Sequence, residues 1–160
     1  MKEKTCCFTG HRDIPSGAYQ LVVNKTEEMI ERLIKKGYRY FGAGGALGYD
    51  TIAALTVLKF KEIYPDVRLI LVLPCRNQTR GWSSEDVRIY ENIKEQADKV
   101  VYISDEYTRG CMHKRNRYLV DNSSVCIAYL TNDKGGTAYT VDYAIKHSTT
   151  VFNIADRIGK

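Results

Sequence analysis

Five loop segments hold the residues of this 160-residue chain whose types and spacing could do chemistry. Thr9-Gly10-His11-Arg12 places an imidazole and a guanidinium directly after a short apolar run, where Gly10 permits a tight turn. The pair reads as anion contacts or as solvated residues of an ordinary strand-to-helix turn. Gly42-Ala43-Gly44-Gly45-Ala46-Leu47-Gly48-Tyr49-Asp50 is glycine-rich, so backbone can approach a ligand closely, and a following helix offers free N–H groups. It lacks the Gly-Lys-Ser/Thr of a P-loop and the spacing of the dinucleotide fingerprint. Asp50 falls where the helix begins, which suits an N-cap, an acceptor for ribose hydroxyls, or both.

The third segment runs from Pro74 to the only tryptophan, Trp82, which could stack on a base or cap the core. The fourth is Met112-His113-Lys114-Arg115-Asn116. On a helix, positions 112, 115, 116 and 119 share a face, and Met112 and Leu119 mark that face as inward. Arg115 and Asn116 therefore point into the body of the protein. A cation there meets the positive end of the helix dipole and needs an anion, either a ligand phosphate or a carboxylate such as Asp121 or Asp142. The fifth is Gly135-Gly136-Thr137-Ala138-Tyr139-Thr140-Val141-Asp142. A Gly pair followed by Thr at a helix start suits a phosphate, with Thr137 equally readable as an N-cap. His11, His113 and His147 are scattered and no C-x-x-C occurs, so neither a metal nor a cofactor is expected. No G-x-S-x-G elbow is present.

These segments must be held by regular elements, and the pattern supplies them. Short apolar runs at 5–9, 38–43, 67–73, 99–103, 125–130 and 149–154 alternate with helical periodicities after Pro15, from Asp50, over 84–97, over 111–121 and over 136–147. That alternation predicts one α/β domain over residues 1–160, a Rossmann-like three-layer sandwich with a mainly parallel sheet ordered 3-2-1-4-5-6. All five segments then follow strands, at the sheet edge where such folds bind ligands. The net charge of +5 is modest and dispersed, which favours small anions over a nucleic-acid stripe. Five cysteines, an odd number lying partly in apolar runs, read as buried thiols of a reducing compartment. Met1-Lys2-Glu3-Lys4 leads straight into a strand, and no apolar run nears the ~20 residues of a membrane span, so the expected location is the cytoplasm.

The same segments, in this order, resemble the SLOG superfamily, named for its SMF/DprA and LOG branches, and most of all its YpsA/YoqJ-like branch. The residues that carry the likeness are Phe8-Thr9-Gly10-His11-Arg12, Gly45-Ala46-Leu47-Gly48-Tyr49-Asp50, Pro74 through Trp82, Arg115-Asn116 with Val120-Asp121, and Gly135-Gly136-Thr137 with Thr140 and Tyr143-Ala144. The resemblance implies a Rossmann-like sheet with a site for nucleotides, nucleotide-derived signals or, in the DprA branch, single-stranded DNA. Met112-His113-Lys114-Arg115 is also similar to the Met-His-x-Arg motif of LOG enzymes, which release the base from nucleoside 5′-monophosphates. Against their Pro-Gly-Gly-x-Gly-Thr-x-x-Glu motif this chain has Lys134, Ala138, Tyr139 and Asp142 in place of Pro, the third Gly, Thr and Glu.

The function expected is binding of an AMP-, ADP- or ADP-ribose-like ligand. The expected contacts are Gly10, His11, Arg12, Gly45, Ala46, Gly48, Asp50, Trp82, Arg115, Asn116, Gly135, Gly136, Thr137 and Thr140. Two alternatives stand beside it: a LOG-like phosphoribohydrolase using Arg115, Asp142 and Asp50, and a DprA-like single-strand binder. An N-glycosidic hydrolase would need a carboxylate beside the sugar to stabilise an oxocarbenium-like charge. Asp142 is the first candidate for it and Asp50 the second. The partner expected is a nucleotide-derived small molecule rather than nucleic acid or membrane, and the sequence leaves open whether copies of the chain associate.

Overall fold

The structure is a computed structural model and describes residues 1–157. The apolar runs form six strands: β1 (Thr5–Gly10), β2 (Tyr40–Ala43), β3 (Arg68–Leu73), β4 (Lys99–Tyr102), β5 (Val125–Tyr129) and β6 (Thr150–Asn153). Between them lie α1 (Tyr19–Lys35), α2 (Tyr49–Ile63), α3 (Ser84–Gln96), α4 (Cys111–Asp121) and α5 (Gly135–Lys146). Every strand pairing is parallel, as an alternating α/β order requires.

The strand order is β4-β3-β2-β1-β5-β6. The order read from sequence, 3-2-1-4-5-6, sets the fourth strand beside the first; in the structure β5 takes that place and β4 lies outermost, beside β3. Burial explains the exchange. Val125-Cys126-Ile127-Ala128-Tyr129 is buried at every position, so β5 needs cover on both faces and both edges. β4 opens on exposed Lys99 and is otherwise half-buried, which suits an edge. Asp98 fixes its entry, accepting from the Leu69 N–H at 2.8 Å and pairing with Lys61 at 2.6 Å.

Side chains alternate across the sheet with period two. Cys6, Phe8, Leu69, Leu71, Leu73 and Ile127 pack with α1, α2 and α3, while Cys7, Val72 and Cys126 pack with Leu119 and Val120 of α4 and Ala144 of α5. Three helices thus cover one face and two the other. Six strands about 4.8 Å apart span more than two helices of about 10 Å can shield, so part of β3 and β4 stays bare on the second face. Among the described residues no helix is long and apolar enough to cross a membrane.

The order in which strands are added reverses at β1, whose neighbours are β2 on one side and β5 on the other. The crevice at its carboxyl end is the topological switch point of the sheet. Local stitching holds its rim. The His11 N–H donates to the Tyr129 carbonyl at 3.2 Å, and the Tyr49 N–H to the His11 carbonyl at 3.1 Å. Tyr49 is fully buried, with its hydroxyl 2.9 Å from that of Thr26. It packs so close beneath Gly10 that a Cβ there would collide with its ring.

Candidate functional site

A cleft of about 260 Å³ opens at the switch point, lined from four elements and their loops. β1 and its loop contribute Thr9, Gly10, His11 and Arg12; the second loop and α2 contribute Ala46 and Asp50. Met112, Arg115 and Asn116 come from α4, and Lys134, Gly135, Gly136 and Thr137 from the start of α5. Three cations and one buried acid face this space. The first turn of α5 carries no acidic residue and no side-chain cap, so its leading N–H groups keep the positive end of the helix dipole unneutralised.

Arg115 is only 5% exposed. Its Nη1 donates to the Gly44 carbonyl and its Nε to Asn116 Oδ1 at 2.6 Å, while its Nη2 lies 3.8 Å from the Met112 sulfur. Neither Asp121 nor Asp142 is its partner. Asp121 accepts from the Tyr143 hydroxyl at 2.7 Å, and Asp142 pairs with Lys146 at 3.0 Å. Burial pulls the Arg115 pKa down, and the nearby Asp50 charge opposes that pull.

Asp50, 6% exposed, is the second residue of α2 rather than its N-cap, which is Gly48. Its Oδ2 accepts from the Ala46 N–H at 3.2 Å and so closes the glycine loop on itself. Burial raises its pKa above the ordinary carboxylate value, with the Arg115 charge and the Ala46 hydrogen bond pulling the other way. Gly48, at φ +83°, lies against the Arg12 backbone and leaves no room for a Cβ.

His11 Nε2 accepts from the Thr131 N–H at 2.9 Å, and the ring meets Tyr129 edge-on. Nε2 is therefore the unprotonated nitrogen and Nδ1 carries the proton. Burial lowers the pKa of this ring, in keeping with a neutral donor. The contact ties the first loop to the loop that delivers Gly135 and Gly136.

Ten of the residues expected from sequence converge on this one cleft: Gly10, His11, Arg12, Ala46, Asp50, Arg115, Asn116, Gly135, Gly136 and Thr137. The others stand apart. Trp82 packs edge-on against Tyr90 with ring centroids 5.4 Å apart, over a small cavity of about 40 Å³ that it shares with Gly45. Gly48 serves loop geometry, and the buried Thr140 hydroxyl donates to the Gly136 carbonyl at 2.9 Å. Asp142, expected as the first candidate for a catalytic acid, is not brought into the cleft: it lies on the exposed face of α5, whose buried face is Thr137, Thr140, Val141 and Ala144. Thr9, Met112 and Lys134 line the cleft without having been singled out as contacts. Their positions, immediately beside Gly10, three residues before Arg115 and directly before the Gly pair, were the available signal. Gln78 supports the site from below, its amide donating to the Gly45 carbonyl at 3.2 Å.

Comparison with known proteins agrees with this fold. Residues 6–155 match the family model described as the YspA SLOG family. The SPbeta prophage-derived protein YoqJ of Bacillus subtilis is 30% identical over 136 residues, covering 77% of this chain and 80% of that protein. The UPF0398 protein BH1768 of Halalkalibacterium halodurans is 32% identical over 123 residues, covering 75% of this chain and 65% of that protein. Among solved structures, DNA processing protein A from Helicobacter pylori, described for its single-stranded DNA binding mode, superposes with a TM-score of 0.70 at 20% identity. The DprA of Streptococcus pneumoniae gives 0.68 at 16%. Each covers 95% of this chain, which spans 65% and 50% of the two structures, so the likeness is one of fold.

Proposed function

This chain belongs to the YspA SLOG family, and we propose that its switch-point cleft binds a nucleotide or nucleotide-derived ligand of the AMP, ADP or ADP-ribose type. The observation that carries this reading is the uncapped start of α5, Gly135-Gly136-Thr137, sharing one cleft with Arg12 and Arg115. Backbone N–H groups, helix dipole and two guanidinium groups together form a site for a phosphate. His11 Nδ1–H adds a neutral donor suited to a phosphate or ribose oxygen, and Asp50 a buried acceptor beside Arg115. Binding rather than turnover fits the position of Asp142, the residue at the acid's place in the LOG-like motif, on the exposed face of α5 outside the cleft lining.

Single-stranded DNA is the second reading, favoured by the fold shared with the Helicobacter pylori protein. Against it, the cleft lining contains no Phe, Tyr or Trp, whereas single-strand binders rely on aromatic stacking along a basic groove.

The test is calorimetry and thermal denaturation with AMP, ADP, ADP-ribose and a single-stranded oligonucleotide. A mononucleotide at ~100 times its dissociation constant should add about 2.7 kcal/mol of stability. A nucleotide panel without any shift would remove the reading. Submicromolar, salt-sensitive oligonucleotide binding would promote the second.

A further inference from the structure

The bare part of the sheet is a second cavity. About 520 Å³ opens on the face that α4 and α5 leave uncovered. It shares no lining residue with the switch-point cleft and lies toward the other end of the strands, where Thr5, Tyr40, Arg68 and Lys99 begin β1, β2, β3 and β4. Its floor is apolar: Ile70 and Val72 of β3, Val101 of β4 and Leu119 of α4. Ile70 and Val101 remain half-buried, so this surface is still open to water.

Lys2, Arg68 and Lys99 surround that floor. Arg68 donates to the carbonyls of Pro65 and Val67 at 2.7 and 3.1 Å, and among the described residues none of the three cations is in an ion pair. The acid among the lining residues, Asp98, is already engaged by Lys61 and the Leu69 N–H.

We infer that this cavity binds an amphipathic organic anion, an apolar acyl or aromatic body ending in one carboxylate, sulfonate or phosphate. Three observations converge on that class. The volume falls in the range of about 300–1,000 Å³ typical of small-molecule sites. The floor offers apolar surface that an acyl or ring system would remove from water. The rim has a cationic excess, Lys2, Arg68 and Lys99 against Asp98, and the aliphatic stems of its lysines can extend the apolar wall while their heads meet the acid. A second copy docked about a two-fold axis would set the same cations against one another, so charge disfavours self-association here.

The probe is dodecanoate, used below its micellar concentration, with dodecyltrimethylammonium as the cationic counterpart. Calorimetry is paired with methyl NMR of Ile70, Val72 and Val101. Dodecanoate should bind once per chain, shift those methyl signals and exceed the ammonium compound in affinity by at least about ten-fold. The double substitution Lys2→Glu and Lys99→Glu, both on exposed side chains, should weaken dodecanoate by a similar factor with the fold intact. Val101→Glu should abolish binding by charging the floor. Absence of saturable binding would overturn the inference. So would equal affinity for the cation, indifference to the double charge reversal, or methyl shifts confined to the switch-point cleft. A concentration-dependent dimer that shifts the same methyls without ligand would give the surface to a second copy and likewise overturn it.

Discussion

Arg115 and Asp50 converge on a single glycine. Arg115 Nη1 donates to the Gly44 carbonyl, and a Cβ on Gly44 would stand 2.9 Å from Asp50 Oδ2 and inside the guanidinium group. The two charges are buried and feel each other without a direct ion pair, and each holds the glycine loop by its backbone. The loop is thus clamped between α2 and α4, and its glycine is required by the clamp as much as by any ligand.

Removing the Arg115 side chain should cost both stability and binding. Arg115→Ala leaves the Gly44 carbonyl without its donor and Asp50 without its opposing charge, so urea unfolding should show a loss of about 1–3 kcal/mol. Arg115→Lys keeps the charge but loses the planar fork, and should fold near normally while binding AMP roughly ten-fold more weakly. Unchanged AMP affinity in Arg115→Lys would make the residue a brace alone.

Asp50 should leave a signature in the pH dependence of stability. Its folded pKa is raised above the ordinary 3.8, so the folded state holds the proton more tightly than the unfolded chain. The stability it contributes is present below about that value and is lost as pH climbs through the raised folded pKa. Asp50→Asn removes this slope. Unfolding free energies measured from pH 4 upward should therefore favour the variant progressively over the wild type, and parallel curves would place the perturbed proton elsewhere.

The glycines should separate by cause. Gly10→Ala meets Tyr49, and Gly48→Ala meets the Arg12 backbone at a positive φ, so both should unfold at markedly lower denaturant. Gly136→Ala meets nothing within 4 Å. That variant should fold like the wild type and change only nucleotide affinity, because Gly136 lines the cleft. A stability loss in Gly136→Ala comparable to the other two would contradict this division.

Base release from AMP and CMP, followed by chromatography of free adenine and cytosine, should be absent or very slow. Asp142 is held at the surface by Lys146, away from the cleft, and misplacement of a reacting group by about 1 Å can already cost a hundred-fold. Asp142→Asn should therefore change nothing. Robust release that survives Asp142→Asn but is lost in Asp50→Asn would assign the chemistry to the second loop.

The elements were legible because local pattern dictates them. The helix read over 111–121 is α4 residue for residue, and β3 differs from its reading by one residue. The cleft was legible because glycines and charges clustered after strands. What escaped was set by distance or phase. The position of β4 depends on which strand needs the deeper burial, a property of pairs far apart in sequence. The Arg115 partner, Gly44, is a backbone carbonyl 71 residues away, which no side-chain pattern announces. Asp142 lies outside the cleft because it sits about two helical turns beyond Gly135, on the side of α5 opposite the buried Thr137, Thr140, Val141 and Ala144.

The central place of β1 has a cost during synthesis. Thr5–Cys7 find their β2 partners at Tyr40–Gly42, but the other edge of β1 pairs only with Val125–Tyr129. At about 5–20 residues per second, a ribosome needs roughly 4 to 17 s to travel from β2 to the end of β5. Throughout that interval the apolar run Cys6-Cys7-Phe8 offers an unpaired strand edge to any neighbouring nascent chain. Expression that outpaces this delay should fill inclusion bodies, and slower translation between codons 43 and 125 would prolong the hazard rather than relieve it.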